Sequence, residues 1–299
     1  MEEMAIFAAV LLGLMVGSFL NVVVYRLPVM MERGWLNEAK LILQERIQTV
    51  LAWLPENKTA EAQKLLGVQE EAPFNLLVPR SRCGSCGAPV KAWQNIPVIS
   101  WLLLRGRCHS CQTPISIRYP LVELLTALLF GAVAWQYGWT EITVWGCLLT
   151  AFVLALTFID ADTQLLPDQL TLPLVWLGLL FNLHTGFVSL PQAVWGAVAG
   201  YMSLWLMFHL FKLLTGKDGM GYGDFKMLAA VGAWTGVSAL PIVVLAASLV
   251  GIAAALIKRV SRGQPMAFGP CLAVSGWLVF LFHAPAQAAL NWWLTKSGF

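Results

Sequence analysis

Runs of apolar residues about as long as a lipid bilayer is thick recur along this chain. A helix needs about 20 mainly apolar residues to cross the hydrocarbon core, and several stretches approach this length. The chain of 299 residues is 58% hydrophobic and 12% charged, whereas a soluble domain is about 25% charged. We therefore predict an all-α polytopic membrane protein with about eight transmembrane helices. Their expected ranges are 4–24, 121–137, 142–160, 169–184, 191–213, 225–240, 241–257 and 267–284.

The first helix carries small residues at a spacing that favours helix contact. Gly13 and Gly17 are four positions apart, which lets another helix approach closely. Asn21 lies inside the apolar run and is predicted to form a hydrogen bond in helix packing, with a functional role as the alternative. Pro28 is expected to end this helix. Residues 29–67 are mixed and charged, and they are interpreted as one or two surface helices.

The Lys and Arg residues are distributed very unevenly along the chain. Of the 19, twelve lie in residues 26–118, three in residues 212–226 and three between Lys258 and Arg262. Cytoplasmic loops of membrane proteins carry an excess of such residues, so these segments are predicted to be cytoplasmic and the N-terminus to lie outside. The net charge of +3 follows from this orientation. No basic helix with interleaved aromatic residues indicates nucleic-acid binding.

Four cysteines form two closely spaced pairs in the first predicted cytoplasmic loop. Cys83-x-x-Cys86 is followed, after 21 residues, by Cys108-x-x-Cys111. Each pair lies in a turn-forming sequence of the kind that lets two thiolates bind one tetrahedral zinc ion. Disulfides are rare in the reducing cytoplasm. We predict a structural zinc site, with redox-active or vestigial thiols as the alternative.

Two aspartates are predicted to meet at the cytoplasmic end of the helices. Asp160 ends a helix running inward, and Asp224 begins a helix running outward after the glycine-rich segment 219–223. Two close carboxyl groups share a proton, so one acts as a base while the other acts as an acid. The glycines are expected to supply positive φ angles and a close approach to a bound peptide. Asp162, two positions from Asp160, is the alternative member of the pair.

Other charged residues near this face have simpler expected roles. Asp168 directly precedes an apolar run and is predicted to be an N-cap. Arg118 and Glu123 are expected to form a structural ion pair, with a catalytic Glu123 as the alternative. Asp162 is interpreted as a solvated loop residue. Lys226 either keeps a nearby carboxylate charged or marks the membrane interface.

A set of short motifs is spread over nearly the whole chain. The motifs are Gly17-Ser-Phe-Leu-Asn21, the paired Cys-x-x-Cys sequences, Arg118-Tyr-Pro-Leu-Val-Glu123, Ile159-Asp160, Leu166-Pro-Asp168, Gly221-Tyr-Gly-Asp224-Phe-Lys226 and Phe268-Gly-Pro270. Together they resemble one family, the bifunctional type IV prepilin leader peptidases and N-methyltransferases, which are aspartic proteases of the Gly-x-Gly-Asp type.

This resemblance implies an inner-membrane peptidase that removes basic leader peptides from type IV prepilins and type II secretion pseudopilins. Cleavage would follow a glycine, and the new N-terminal residue, usually Phe, would then be methylated from S-adenosylmethionine. Asp160 and Asp224 match the catalytic aspartates. Gly106 matches a glycine associated with methyl transfer. Gly221, Gly223 and Lys226 would support the site.

The residues and the resemblance together give a division of the chain. We expect a first transmembrane helix in residues 1–25, a cytoplasmic zinc-binding domain in residues 26–120 and a transmembrane protease domain in residues 121–299. One alternative is a zinc-stabilised membrane scaffold or transporter whose acids relay protons, although the repeated halves typical of transporters are absent from the sequence. Another is a peptidase without methyltransferase activity.

Overall fold

The described part of the chain is almost entirely helical. The structure, a computed structural model, describes residues 2–51, 73–217, 219–258 and 267–297. Within these ranges there is no β-strand, only two isolated bridges beside the cysteine pairs. Short 3₁₀ segments occur at Ala92–Asn95 and Val237–Ala239. The α-helices are α1 (Glu2–Leu51), α2 (Ile99–Leu103), α3 (Arg118–Tyr137), α4 (Glu141–Thr163), α5 (Asp168–Thr185), α6 (Leu190–Thr215), α7 (Tyr222–Thr235), α8 (Leu240–Lys258), α9 (Gly269–Leu281) and α10 (His283–Ser297).

Each of the eight predicted apolar segments contains a helix, which confirms the all-α fold of a multi-pass membrane protein. Five of the described helices (α1, α3, α4, α6 and α8) are long and apolar enough to cross a membrane. The count becomes six if α9 and α10, which meet at 95°, form one broken span. The prediction of eight crossings is therefore higher than length and composition support. The shortfall lies in α5, with 18 residues, and α7, with 14 residues.

The first helix is longer than the sequence suggested. It continues through Pro28 to Leu51, so the prediction that Pro28 ends it is wrong. A proline removes one backbone hydrogen bond, but the residues that follow it are rich in Met, Leu, Glu, Ala, Lys and Gln, which are strong helix formers. The predicted surface helices of residues 29–67 are thus partly a continuation of α1, and residues 52–67 lie outside the described ranges.

The small residues of α1 bring it into backbone contact with α3. A Cβ atom on Gly13 would lie 2.6 Å from the Cα atom of Ala127, and one on Gly17 would lie 2.7 Å from the Cα atom of Glu123. The side-chain amide of Asn21 donates a hydrogen bond to the carbonyl oxygen of Tyr119 at 3.1 Å. The predicted packing role of these three α1 residues is confirmed.

The short helix α7 is enclosed by other helices, which explains why it need not be as long as a bilayer is thick. It packs mainly against α5, α6 and α9, and most of its side chains are buried. A Cβ atom on Gly196 of α6 would lie 2.2 Å from the carbonyl oxygen of Gly232 in α7. The side-chain amide of Asn182 donates to the carbonyl oxygen of Ala233 at 2.8 Å. These contacts fix the helix that carries Asp224.

Candidate active site and cysteine cluster

Asp160 lies in the last turn of α4, with its side chain buried. Its backbone oxygen accepts the hydrogen bond from Gln164 that closes the helix, and its residue surface is only 4% exposed. An acid near a helix C-terminus is disfavoured by the helix dipole. Its Oδ2 atom is buried and has no hydrogen-bond partner within the described ranges. A buried carboxylate oxygen left without a partner calls for a functional explanation.

Asp224 lies in the first turn of α7 and is also buried, with 8% of its surface exposed. Gly221 is the N-cap residue of this helix, and its backbone N–H interacts with the Asp224 carboxyl group. This arrangement resembles half of a capping box, in which an acid three residues into the helix reaches back to the cap. The Asp160 carboxyl group is near enough for its charge to act on that of Asp224, and Leu166 contacts the glycines beside both. The fold therefore brings the two predicted aspartates together from separate helices.

The N-terminus of α9 forms a third wall of this site. The backbone N–H of Gly269 interacts with the Asp160 carboxyl group. A Cβ atom on Gly269 would lie 2.4 Å from Oδ2 of Asp160 and 3.0 Å from Cδ1 of Leu166. Leu166 also contacts Gly223, because a Cβ atom added to Gly223 would lie 2.7 Å from the Cβ atom of Leu166. One leucine side chain thus packs between the glycine beside Asp160 and the glycine before Asp224.

The glycines before Asp224 act through their small size. Gly221 has a φ angle of −81°, and neither it nor Gly223 is among the glycines with positive φ. The expectation of positive φ at this turn is wrong for these two residues. Position 223 requires a glycine, because Leu166 fills the space that a side chain would need. A Cβ on Gly221 would meet only Oδ2 of Asp224, at 3.9 Å, so the fold itself leaves open space there.

Lys226 forms an ion pair on the rim of the site. Its Nζ atom lies 2.5 Å from Oδ1 of Asp168, so it is paired with a carboxylate of a neighbouring helix. The predicted N-cap role of Asp168 is wrong, because Pro167 is the N-cap residue and its carbonyl oxygen accepts from the amides of Leu170 and Thr171. Asp168 is instead the first residue of α5 and joins it to α7.

A second ion pair differs from the one predicted. The guanidinium group of Arg118 binds both carboxylate oxygens of Asp162, at 3.0 and 2.6 Å, so the prediction that it pairs with Glu123 is wrong. Asp162 belongs to the last turn of α4 and is not a loop residue. Residues two positions apart in a helix do not share a face. Asp162 therefore points away from the side of α4 that carries Asp160.

The four paired cysteines form one cluster. The Sγ atoms of Cys83, Cys86, Cys108 and Cys111 all lie within 4.8 Å of one another, and those of Cys83 and Cys111 are 3.7 Å apart. Four thiolates bound tetrahedrally to zinc at about 2.3 Å lie about 3.8 Å apart. The arrangement fits a metal ion of this kind. The other two cysteines, Cys147 and Cys271, are buried in the helices α4 and α9, where they act as small apolar side chains.

Each cysteine pair lies in one copy of a short repeated unit, and the sequence analysis missed this repeat. The pattern Arg-Cys-x-Ser-Cys-x-x-Pro begins at Arg82 and again at Arg107. In both copies the first cysteine donates its backbone N–H to the residue five positions later, at 2.9 Å. In both, the residue after the second cysteine has positive φ, 69° at Gly87 and 59° at Gln112. The repeated pattern was available in the sequence as a signal.

Gly106 lies immediately before the second of these units and has a structural reason to be glycine. Its φ angle is +67°, and an added Cβ would lie 2.9 Å from the indole ring of Trp101. Its backbone N–H binds the carbonyl oxygen of Trp101 and its carbonyl oxygen accepts from Ile115. Positive φ is disfavoured for residues with a side chain. Gly106 therefore fixes the turn that leads into Cys108.

The surroundings of Cys111 favour the thiolate that a metal needs. The hydroxyl group of Thr113, which is 3.2 Å from the sulfur, and the backbone of the same residue lower the pKa of the Cys111 thiol to about 6. A thiol must lose its proton to bind a metal.

Removing one cysteine of the cluster tests the metal site directly. We expect Cys83→Ser to reduce bound zinc from about one ion per chain to near zero, because a structural zinc site needs all four ligands. Metal content of the purified protein measures this. Cys147→Ser, a change of the same chemistry in a buried helix position, is the control and should keep its zinc. Equal zinc content in both variants would contradict the assignment.

Three further residues that shape the site escaped the sequence reasoning as functional positions. Gly269 was present only as part of Phe268-Gly-Pro270, a motif without an assigned role. Gly196 and Gly200 both contact the backbone of α7, and their spacing of four positions is the same helix-contact signal as that of Gly13 and Gly17.

A multi-pass helical bundle that buries two interacting carboxyl groups fits the class of membrane aspartic peptidases. Residues 11–137 match the bacterial peptidase A24 N-terminal domain, and residues 147–256 match the type IV leader peptidase family. The chain belongs to the type IV leader peptidase family and is an enzyme of that class.

Curated relatives cover nearly all of the chain. A prepilin leader peptidase/N-methyltransferase of Neisseria gonorrhoeae is 57% identical over 295 residues, covering 99% of this chain and 96% of the relative. Proteins of the same name from Aeromonas hydrophila (53% identical, 96% of this chain and 92% of the relative) and Pseudomonas aeruginosa (49% identical, 93% and 90%) are also similar. No solved structure matches the chain.

Proposed function

We propose that this protein removes the leader peptide from type IV prepilins and type II secretion pseudopilins and then methylates the new N-terminal amine. The observation that carries the peptidase half is the buried pair Asp160 and Asp224, in which one oxygen has no hydrogen-bond partner among the residues that the structure describes. The relatives that cover more than nine-tenths of the chain are named for both activities.

The aspartate pair supplies what peptide hydrolysis needs. In the pair, the ionised carboxylate removes a proton from water, and the resulting hydroxide adds to the carbonyl carbon of the scissile bond. The protonated member donates its proton to the carbonyl oxygen. As the C–N bond breaks, the amine takes the proton that the first carboxylate received from water, and a hydroxyl of the intermediate returns a proton to the second carboxylate. Such a pair titrates as a unit, so Asp160 and Asp224 share the acid and base roles. Asp162 forms an ion pair with Arg118, and we give it no catalytic role.

The open space at Gly221 is where we place the substrate backbone. Gly223 is small because Leu166 packs against it, but nothing in the described fold fills the space beside Gly221 other than Oδ2 of Asp224. A peptide needs such room to bring its carbonyl group to the carboxyl group. The open space is consistent with the role proposed for Gly221, which is to leave room for the substrate beside Asp224. Lys226 supports the site through its ion pair with Asp168.

The orientation in the membrane follows from the same proposal. We place the protein in a bacterial inner membrane, with the N-terminus outside and the cysteine cluster on the cytoplasmic side. Most Lys and Arg residues lie in residues 26–118, which include the cluster, and such residues mark the cytoplasmic side. The proposed division remains a first helix in residues 1–25, a zinc-binding domain in residues 26–120 and a protease domain in residues 121–299. Zinc would hold the two cysteine units together through Cys83, Cys86, Cys108 and Cys111.

Methyl transfer is proposed for the region around the cysteine cluster, with S-adenosylmethionine as the methyl donor. The resemblance associates Gly106 with this activity, and the turn it fixes leads directly into the cluster. No nucleic acid takes part in the proposed function.

Incubating the purified wild-type protein in lipid nanodiscs with one prepilin tests both halves. Without S-adenosylmethionine, mass spectrometry should find the mature pilin with a free amine, and with it the same pilin carrying one methyl group. Intact prepilin in both reactions would contradict the peptidase assignment and favour a scaffold or transporter. Cleaved but unmethylated pilin in both would identify a peptidase without methyltransferase activity.

A further inference from the structure

A cavity separate from the aspartate pair lies between the cysteine units and helices α1 and α3. Its volume is about 640 Å³, within the range of about 300–1,000 Å³ that is typical of small-molecule sites. Its walls include residues of both cysteine units. Other lining residues are Ser18 and Asn21 of α1, Trp101, Tyr119 and Glu123. Apolar rings and a few polar groups of this kind are typical of ligand sites.

Glu123 is the one acid in the wall of this cavity, and it is buried. Its surface is 8% exposed, and its Oε2 atom accepts the backbone N–H of Val98 at 2.8 Å. Ser18 lines the same cavity. A carboxylate has about four acceptor positions, so the bond from Val98 leaves room for a further donor.

Two arginines, Arg26 and Arg82, also line the cavity. Arg26 donates to the backbone oxygens of residues 75, 76 and 79, and Arg82 is exposed. Arg118 binds Asp162, and within the described ranges no Lys or Arg side chain pairs with Glu123. A buried carboxylate without a cation is strongly unfavourable, and such groups are normally paired. A ligand that brings a positive charge into the cavity would supply the missing partner.

The loop that faces Glu123 is held in an unusual conformation. Val98 has a φ angle of +60°, which is a rare outlier for a β-branched residue. Its N–H is the group that binds Glu123. Outliers of this kind are concentrated at ligand sites, where the surroundings hold them in place. The carboxyl group is therefore fixed in position at the edge of the cavity.

The cavity and the aspartate pair lie at the same end of the bundle. The ion pair of Arg118 with Asp162 joins the start of α3 to the end of α4. Glu123 is five residues along α3 from Arg118, a rise of about 7.5 Å, and Asp160 is two residues from Asp162. An amine released by cleavage thus needs no transfer across the membrane to reach Glu123.

We propose that Glu123 binds the α-ammonium group of the cleaved pilin in this cavity and accepts its proton before methylation. This inference rests on the proposed function. The ammonium group loses one proton to a Glu123 oxygen, which leaves a lone pair on nitrogen. S-adenosylmethionine supplies the methyl group to that nitrogen, and the electron pair of the broken C–S bond remains on sulfur. Glu123 is a reaction partner of the amine, in a cavity that no aspartate of the peptidase site lines.

A binding measurement tests the charge pair without any reaction. The probe is a synthetic peptide with the N-terminal sequence of a mature pilin and a free α-amine, compared with its N-acetylated form, by calorimetry in nanodiscs. We expect the wild type to bind the free amine at least about tenfold more tightly, because a charge-assisted hydrogen bond is lost on acetylation. In Glu123→Gln, which keeps an oxygen for the Val98 amide, this preference should disappear.

A methylation assay on the same pre-cleaved pilin separates this inference from the proposed function. We expect Glu123→Gln to lower the methylation rate at least about a hundredfold, in the range for loss of a catalytic base. Glu141→Gln, an exposed residue that contacts His184, is the matched control and should methylate like the wild type. Zinc content and size-exclusion profile show that each variant is folded.

The outcomes are distinct. Unchanged methylation or an unchanged amine preference in Glu123→Gln would overturn the inference while wild-type methylation still supported the proposed function. Loss of zinc from the Glu123→Gln protein would also overturn the inference, because it would show that Glu123 has a structural role in the cysteine domain. Failure of the wild type to methylate would contradict both.

Discussion

Replacing either Asp160 or Asp224 by asparagine is expected to abolish leader cleavage. An amide keeps the size of the side chain but cannot exchange the shared proton, so neither the base nor the acid role survives. Loss of a general acid or base commonly lowers a rate by about a hundredfold to ten-thousandfold, and residues that act as a unit lose nearly everything when one is removed. Conversion of a prepilin, followed by gel shift and mass spectrometry, measures the rate.

The control for these two variants is Asp162→Asn. Asp162 stands two positions from Asp160, and its carboxylate is bound by Arg118, so its loss removes only an ion pair that is about 40% exposed. Exposed ion pairs contribute little to stability, about 0–1 kcal/mol. We expect this variant to retain most of its cleavage rate. Cleavage that survived in Asp160→Asn and was lost in Asp162→Asn would move the catalytic role to Asp162.

The second large effect is expected at Gly269, which does not itself carry chemistry. In Gly269→Ala the new Cβ atom would lie 2.4 Å from Oδ2 of Asp160, a distance at which one of the two groups must move. The backbone at Gly269 is the start of α9 and is held by the helix, so the aspartate side chain is the group that shifts. Displacement of a reacting group by about 1 Å can lower a rate about a hundredfold. Initial rates of prepilin cleavage check this value.

Gly34→Ala serves as the control for Gly269→Ala. Gly34 is a helical residue with no atom within 4 Å of an added Cβ, and alanine favours a helix more than glycine does. We expect full activity and unchanged or higher thermal stability. Wild-type cleavage by Gly269→Ala would show that Asp160 is not held against the N-terminus of α9 in the working enzyme.

The sequence was sufficient to predict the helices and the groups whose roles depend on chemistry alone. Thiols at a fixed spacing and acids at the ends of apolar runs are unusual enough to be noticed in isolation, because each is unfavourable unless it is used. The prediction that the cysteines cluster is confirmed by four sulfur atoms within 4.8 Å of one another. The catalytic roles of Asp160 and Asp224 remain predictions, now with a geometry that allows them.

The partners of charged residues could not be predicted in the same way. Arg118 is five positions from Glu123 in sequence, yet it binds Asp162 on another helix. Asp168 looked like a cap, yet its partner is Lys226 of α7. These pairings depend on how α3, α4, α5 and α7 pack, and packing is set by contacts such as those of Gly196 with Gly232. The sequence around a charged residue does not indicate which helix will pack beside it.

The most direct test of the account is whether positions 160 and 224 face each other in the membrane. Cysteines introduced by Asp160→Cys with Asp224→Cys should be joined by a short thiol-reactive cross-linker, and mass spectrometry should recover the linked peptides of α4 and α7. The pair Asp162→Cys with Asp224→Cys should give little product, because residue 162 lies on the other face of α4. Cross-linking confined to the second pair, or absent from both, would contradict the proposed aspartate dyad.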